Sequence, residues 1–151
     1  MEMYKKLLLN LYSANLLNGK VELNLRHYSF CYFVVQHTND TEFIKDQSLQ
    51  LLLSSCNSFE FVGAQATIWQ QGFSETYSLL HPVPAQERTK RISAYNTIDE
   101  FTDSLFQSMS CRGLIPTDHY LIYDDKGLYE DVLRDLQKKL WTIRAYQDVR
   151  L

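Results

Sequence analysis

The sequence predicts a single α+β domain over residues 1–151, and three observations carry that reading. Apolar residues recur at helical spacing near both ends and in two inner stretches. They alternate with polar ones in the β-like stretches Val21–Val35 and Ser58–Leu80. At 151 residues the chain suffices for one hydrophobic core and is short for two.

Met3–Leu17 sets Tyr4, Leu7, Leu8, Leu11 and Ala14 on one helical face, with Asn18-Gly19 as a left-handed stop. Lys5 and Lys6 ahead of leucines have the look of a secretion signal. Asn10 interrupts the apolar run and no small-x-small cleavage site follows, so a folded amphipathic helix is the better reading. Val21, Leu23 and Leu25 then alternate with Glu22, Asn24 and Arg26. The phase changes at His27, which predicts a bulge or reversal near Arg26–Tyr28 and a central strand, apolar on both faces, to Val35.

Thr38–Cys56 follows as a helix, capped by Asn39 with Glu42 or by Asp40, with Phe43, Leu49, Leu52, Leu53 and Cys56 inward. Ser58–Leu80 reads as an antiparallel hairpin around which the rest packs. Val62, Ala64, Ala66 and Ile68 form one alternation, and Phe73, Tyr77 and Leu79 a second after the break at Gln70–Gly72. Pro82 and Pro84 make His81–Glu87 an extended connection. Thr97 and Glu100 form a capping box for the helix Thr97–Ser110, which buries Phe101, Leu105 and Met109. A short strand, His119–Tyr123, precedes the last helix, Gly127–Tyr146, lined by Leu128, Val132, Leu136, Leu140 and Ile143.

The middle elements thus run β-α-β-β-α-β, the ferredoxin-like split βαβ order, with extra helices at both ends. The phase change at His27 supports an alternative, a mixed five-stranded sheet with helices.

The formal charge of −3 gives no overall pull toward nucleic acid or an anionic membrane. The longest strongly apolar run, Phe30–Val35, is too short to span a bilayer as a helix. Cys31, Cys56 and Cys111 are odd in number and form no CxxC pair. They read as reduced, mostly buried thiols, which suits a cytoplasmic protein, and no cofactor is expected. Walker, GxGxxG and GxSxG signatures are absent.

The function expected on these grounds is non-catalytic protein binding or assembly, of an adaptor, chaperone, inhibitor or immunity type. Its motive is surplus apolar surface, and its residues are Leu9, Trp69, Phe73 and Trp141, with a homodimer or another protein as partner. A nucleic-acid alternative rests on Arg88, Lys90 and Arg91, three cations in four residues, with Tyr95 to stack on a base. A weaker alternative is a metal-dependent hydrolase using Asp118, His119 and Asp124, carboxylates and an imidazole flanking the last strand. His27, His37, His81 and His119 lie in different elements, and their spacings contain no ligand motif.

Overall fold

Tyr28–Val34 shows how the chain is organised. Alternate side chains of a strand point to opposite faces, and here both faces are apolar: Cys31 and Phe33 are buried on one, Tyr32 and Val34 on the other. Such a strand needs cover on both sides. The computed structural model describes residues 5–8, 10–16, 28–81, 90–110 and 117–149, without the side chains of 5–8 and 143–149. In chain order its elements are β1 (Lys5–Leu8), β2 (Leu11–Asn15), β3 (Tyr28–Val34), α1 (Thr41–Leu52), β4 (Cys56–Val62), α2 (Ala66–Leu80), β5 (Arg91–Ala94), α3 (Ile98–Ser110), β6 (Thr117–Tyr123) and α4 (Lys126–Val149).

The strands form one six-stranded sheet in the order β1-β2-β6-β3-β4-β5. Every junction is parallel except β1–β2, which is antiparallel. From β3 the chain steps outward through β4 to β5, and α1 and α2 cover the face bearing Phe33, Phe59, Phe61 and Ile122. It then returns to lay β6 on the other side of β3. Helices α3 and α4 cover the opposite face, around Tyr32, Val34 and Leu121. This is a doubly wound arrangement, and its winding direction reverses between β3 and β6.

Local chemistry explains the joints. Asp40 caps α1 by accepting from the backbone N–H of Glu42 and Phe43. Thr97 caps α3, its hydroxyl oxygen accepting from the Glu100 N–H at 3.2 Å and the hydroxyl donating to the Glu100 carboxylate at 3.2 Å. Gly63 holds φ at 114°, and a Cβ there would fall 2.5 Å from the Val35 carbonyl oxygen, so the β4–α2 turn admits only glycine.

Helices and sheet coexist as expected, but the ferredoxin-like core is overturned, because that core is antiparallel and five strands here run parallel. Three misread segments account for the difference. Ser58–Leu80 is a strand followed by a helix, not a hairpin. Trp69, Phe73, Tyr77 and Leu80 recur at intervals of three and four, the true inward stripe of α2, and the period-two match there is coincidental.

The described residues of Met3–Leu17 do not form the expected helix either. Leu7, Leu8 and Leu11 fall in the β1–β2 hairpin, in which Asn10 takes φ 64° at the turn and Leu11–Asn15 pairs with β6 along its whole length. Arg91–Ala94, missed altogether, adds the strand β5 beside β4. The alternative mixed sheet has the wrong number of strands, and the sheet is mixed only at its β1 edge. The expected phase change at His27 lies mostly outside the described residues.

Candidate functional site

In a doubly wound sheet the customary ligand crevice lies beyond the carboxyl ends of the strands, where the winding reverses. Here that point lies between the ends of β3 and β6, and the protein fills it with its own acid. The Asp124 carboxylate accepts from three successive backbone N–H groups, of Gln36 at 2.7 Å, His37 at 3.0 Å and Thr38 at 2.7 Å. Successive N–H groups of this kind form an anion nest. Next to it His37 Nε2 lies 2.8 Å from Asp125, whose other oxygen accepts from the Leu128 N–H at the start of α4. That backbone N–H, then His37, holds the Asp125 carboxyl below the usual carboxylate range. A phosphate entering this nest must first displace Asp124.

The metal set is not brought together. Asp118 and His119 sit at the amino end of β6 and Asp124 follows its carboxyl end, roughly 20 Å away at strand rise. Asp118 and His119 also point to opposite faces, being consecutive in a strand. His119 packs against Phe30 and Tyr32 under α3, and burial lowers its pKa to about 4 against the opposing pull of Asp118. The other histidines do not join it: His37 is at the far end of the sheet, His81 lies beside Tyr77 after α2, and His27 is outside the described residues. Among the described residues no group of His, Cys, Asp or Glu could hold a metal ion. Cys31 and Cys56 are free, buried and 3.3 Å apart at sulfur, and burial pushes the Cys31 thiol up; an inert pair results.

The basic loop is only partly described, Arg88 lying outside. Lys90 Nζ donates to the carbonyls of Ser54 and Cys56 at 2.9 and 2.8 Å, tying β5 to the α1–β4 turn. Arg91 donates to the Tyr95 hydroxyl at 3.1 Å, and Tyr95 in turn donates to Glu60. Tyr95 packs its ring on Phe101 instead of standing free for a base.

Of the expected protein-binding residues, Leu9 lies outside the described residues, and Trp69 and Phe73 are wholly buried. They are buried because α2 is a helix whose inward stripe they form, against Phe33, Phe59 and Phe61. The Trp69 Nε1 also donates to the Thr38 carbonyl at 2.8 Å. Trp141 is 70% exposed on α4.

What the sequence reading missed is the outer face of the α1–α2 layer. The two helices lie close, with Gly72 against Ile44 and a buried hydroxyl pair, Ser48 and Thr76, 2.7 Å apart. A groove of about 500 Å³ runs between them, lined by Lys45 on one side and by Ile68, Glu75 and Leu79 on the other. Leu49 and Leu53 continue the i, i+4 row from Lys45, and both are exposed. The signal was present in the sequence, since a helix reading of Ala66–Leu80 puts Ile68 and Leu79 together on a face about 100° or more round from the Trp69–Phe73 stripe.

No protein-family model matches the chain, and no curated protein or solved structure is significantly similar to it. Among the described residues no helix is long and apolar enough to cross a membrane.

Proposed function

We propose that this protein is a non-catalytic binding protein acting through the outer face of α1 and α2, and that the occupant of that face is a second copy of this chain. One observation carries the reading. Among the described residues, four of the six exposed large apolar side chains lie on these two neighbouring helices or at the C-cap of α1: Leu49, Leu53, Ile68 and Leu79, the last 75% exposed. Grouped apolar surface with a polar rim is the anatomy of an interface.

Charge favours a second copy. Lys45 and Glu75 flank the same groove on different helices. A two-fold axis running along the groove sets Lys45 of each copy on the side of Glu75 of the other, the self-complementarity that an isologous contact requires.

Amide hydrogen exchange at low and high protein concentration tests the reading. Added protection in α1 and α2 at high concentration, with α3 unchanged, is the expected result. Exchange independent of concentration in both helices overturns it.

A further inference from the structure

Two acids that follow β6 hold one histidine that follows β3. The Asp124 carboxylate fixes the His37 backbone, accepting its N–H at 3.0 Å and those of Gln36 and Thr38 on either side. The Asp125 carboxylate fixes the ring, with Oδ1 2.8 Å from His37 Nε2. Asp125 is itself held from behind, because its Oδ2 accepts the Leu128 N–H in the first turn of α4. An imidazole anchored at both main chain and ring therefore sits where the winding of the sheet reverses.

Packing does not call for this restraint. The His37 side chain is 66% exposed and belongs to neither apolar cluster. The hydrogen bond does decide the tautomer. Asp125 is held below the usual carboxylate range by the Leu128 N–H and then by His37, so at neutral pH it is an anion and can only accept. The ring proton therefore lies on Nε2, and Nδ1 keeps its lone pair on the edge of the ring away from Asp125. Among the described residues Nδ1 has no partner. A carboxylate behind the far nitrogen makes the near one a stronger nucleophile and stabilises the cation formed when it reacts. The surroundings tolerate an incoming anion, since the Asp124 charge is already met by three N–H groups and the exposed Lys126 opens α4 next to Asp125.

We infer that His37 is a phosphoryl-acceptor site, modified at Nδ1 by a small acyl phosphate. The Nδ1 lone pair attacks phosphorus, the P–O bond to the acyl group breaks, and the carboxylate product leaves with that electron pair. The proton on Nε2 stays shared with Asp125, which balances the new imidazolium charge. Asp125 is thus a positioning residue. The inference does not depend on self-association.

Incubation of the full chain with acetyl phosphate, followed by peptide mass spectrometry under alkaline conditions and phosphorus NMR, tests the assignment. His37 should be phosphorylated at least about tenfold faster than His81, which is also exposed but packs beside Tyr77 with no carboxylate behind its ring. The phosphoryl group should sit on Nδ1. Asp125→Asn keeps a capping side chain for α4 and should slow the reaction by about tenfold while losing the preference for Nδ1 over Nε2. A purely structural role for Asp125 would leave that preference intact. No phosphate on His37, equal rates at His37 and His81, modification of the wild-type ring at Nε2, or an Asp125→Asn variant with unchanged rate and position overturns the inference.

Discussion

The two helical layers of this protein close their seams in opposite ways. Between α1 and α2 the seam is made by close approach, Gly72 on Ile44 and the Ser48–Thr76 hydroxyl pair, and apolar side chains are left outside. Between α3 and α4 it is made by charge. Lys139 sits within 3.0 Å of Asp99 and Asp103 and 2.9 Å of Asp135, and also donates to Thr102. Burial works against the Lys139 charge, but hydrogen bonds to Asp135, Asp103 and Asp99 outweigh it and raise its pKa. Arg134 pairs with Asp131 further out on α4. A charged seam with polar flanks suits a layer that faces water. An apolar outer row suits a layer that is to be covered.

The two tryptophans give the sharpest contrast between the layers. Trp69→Ala should cost about 3–5 kcal/mol, because it empties the ring cluster beneath α2 and orphans the Thr38 carbonyl. Trp141→Ala should stay within about 0.5 kcal/mol. Urea midpoints for the two variants measure the difference, and equal midpoints break the contrast.

The interior under α3 should respond to acid more than the aromatic interior under α1 and α2. His119 has its pKa lowered to about 4 by burial, so its neutral form is the folded form. Its contribution is fully present above about pH 6.5, the unfolded value, and is lost as pH falls through about 4. The loss amounts to at most about 3 kcal/mol. His119→Phe should remove this part of the pH dependence of the urea midpoint. An unchanged slope between pH 6.5 and 4 refutes the assignment.

A smaller effect is expected at the charged seam. Lys139→Met leaves Asp99, Asp103 and Asp135 facing one another and should cost about 1–2 kcal/mol, discounted for the solvent reaching the aspartates. High salt should recover part of that loss. A salt-independent deficit would mean that packing of the lysine stem matters more than its charge.

Legibility in the sequence followed the physics of each segment. The starts of α1 and α3 could be read because Asp40, the second of the two caps offered for α1, and Thr97 act on backbone within three residues of themselves, but the expected run of α1 to Cys56 fails, since Cys56 opens β4 and Leu49 and Leu53 face outward. The central strand could be read because Cys31–Val34 is apolar on both faces, a pattern a local window contains. The fold could not, because parallel pairing joins strands far apart in sequence, as β3 with β6, and leaves no turn signature between them. β5 is four residues long and follows a proline-rich connection, so period and length both argued against it. In the candidate sites the basic residues stood out, but His37 did not, because the two acids that hold it arrive from the far end of β6.

Sedimentation equilibrium over a wide range of protein concentration tests the central claim most directly. The wild-type chain should approach twice its 17.8 kDa mass. Leu79→Asp with Leu49→Asp should remain at the single-chain mass with an unchanged urea midpoint, since both side chains face outward. A wild-type chain that stays monomeric at the highest concentration, or a dimer that survives both substitutions, contradicts the account.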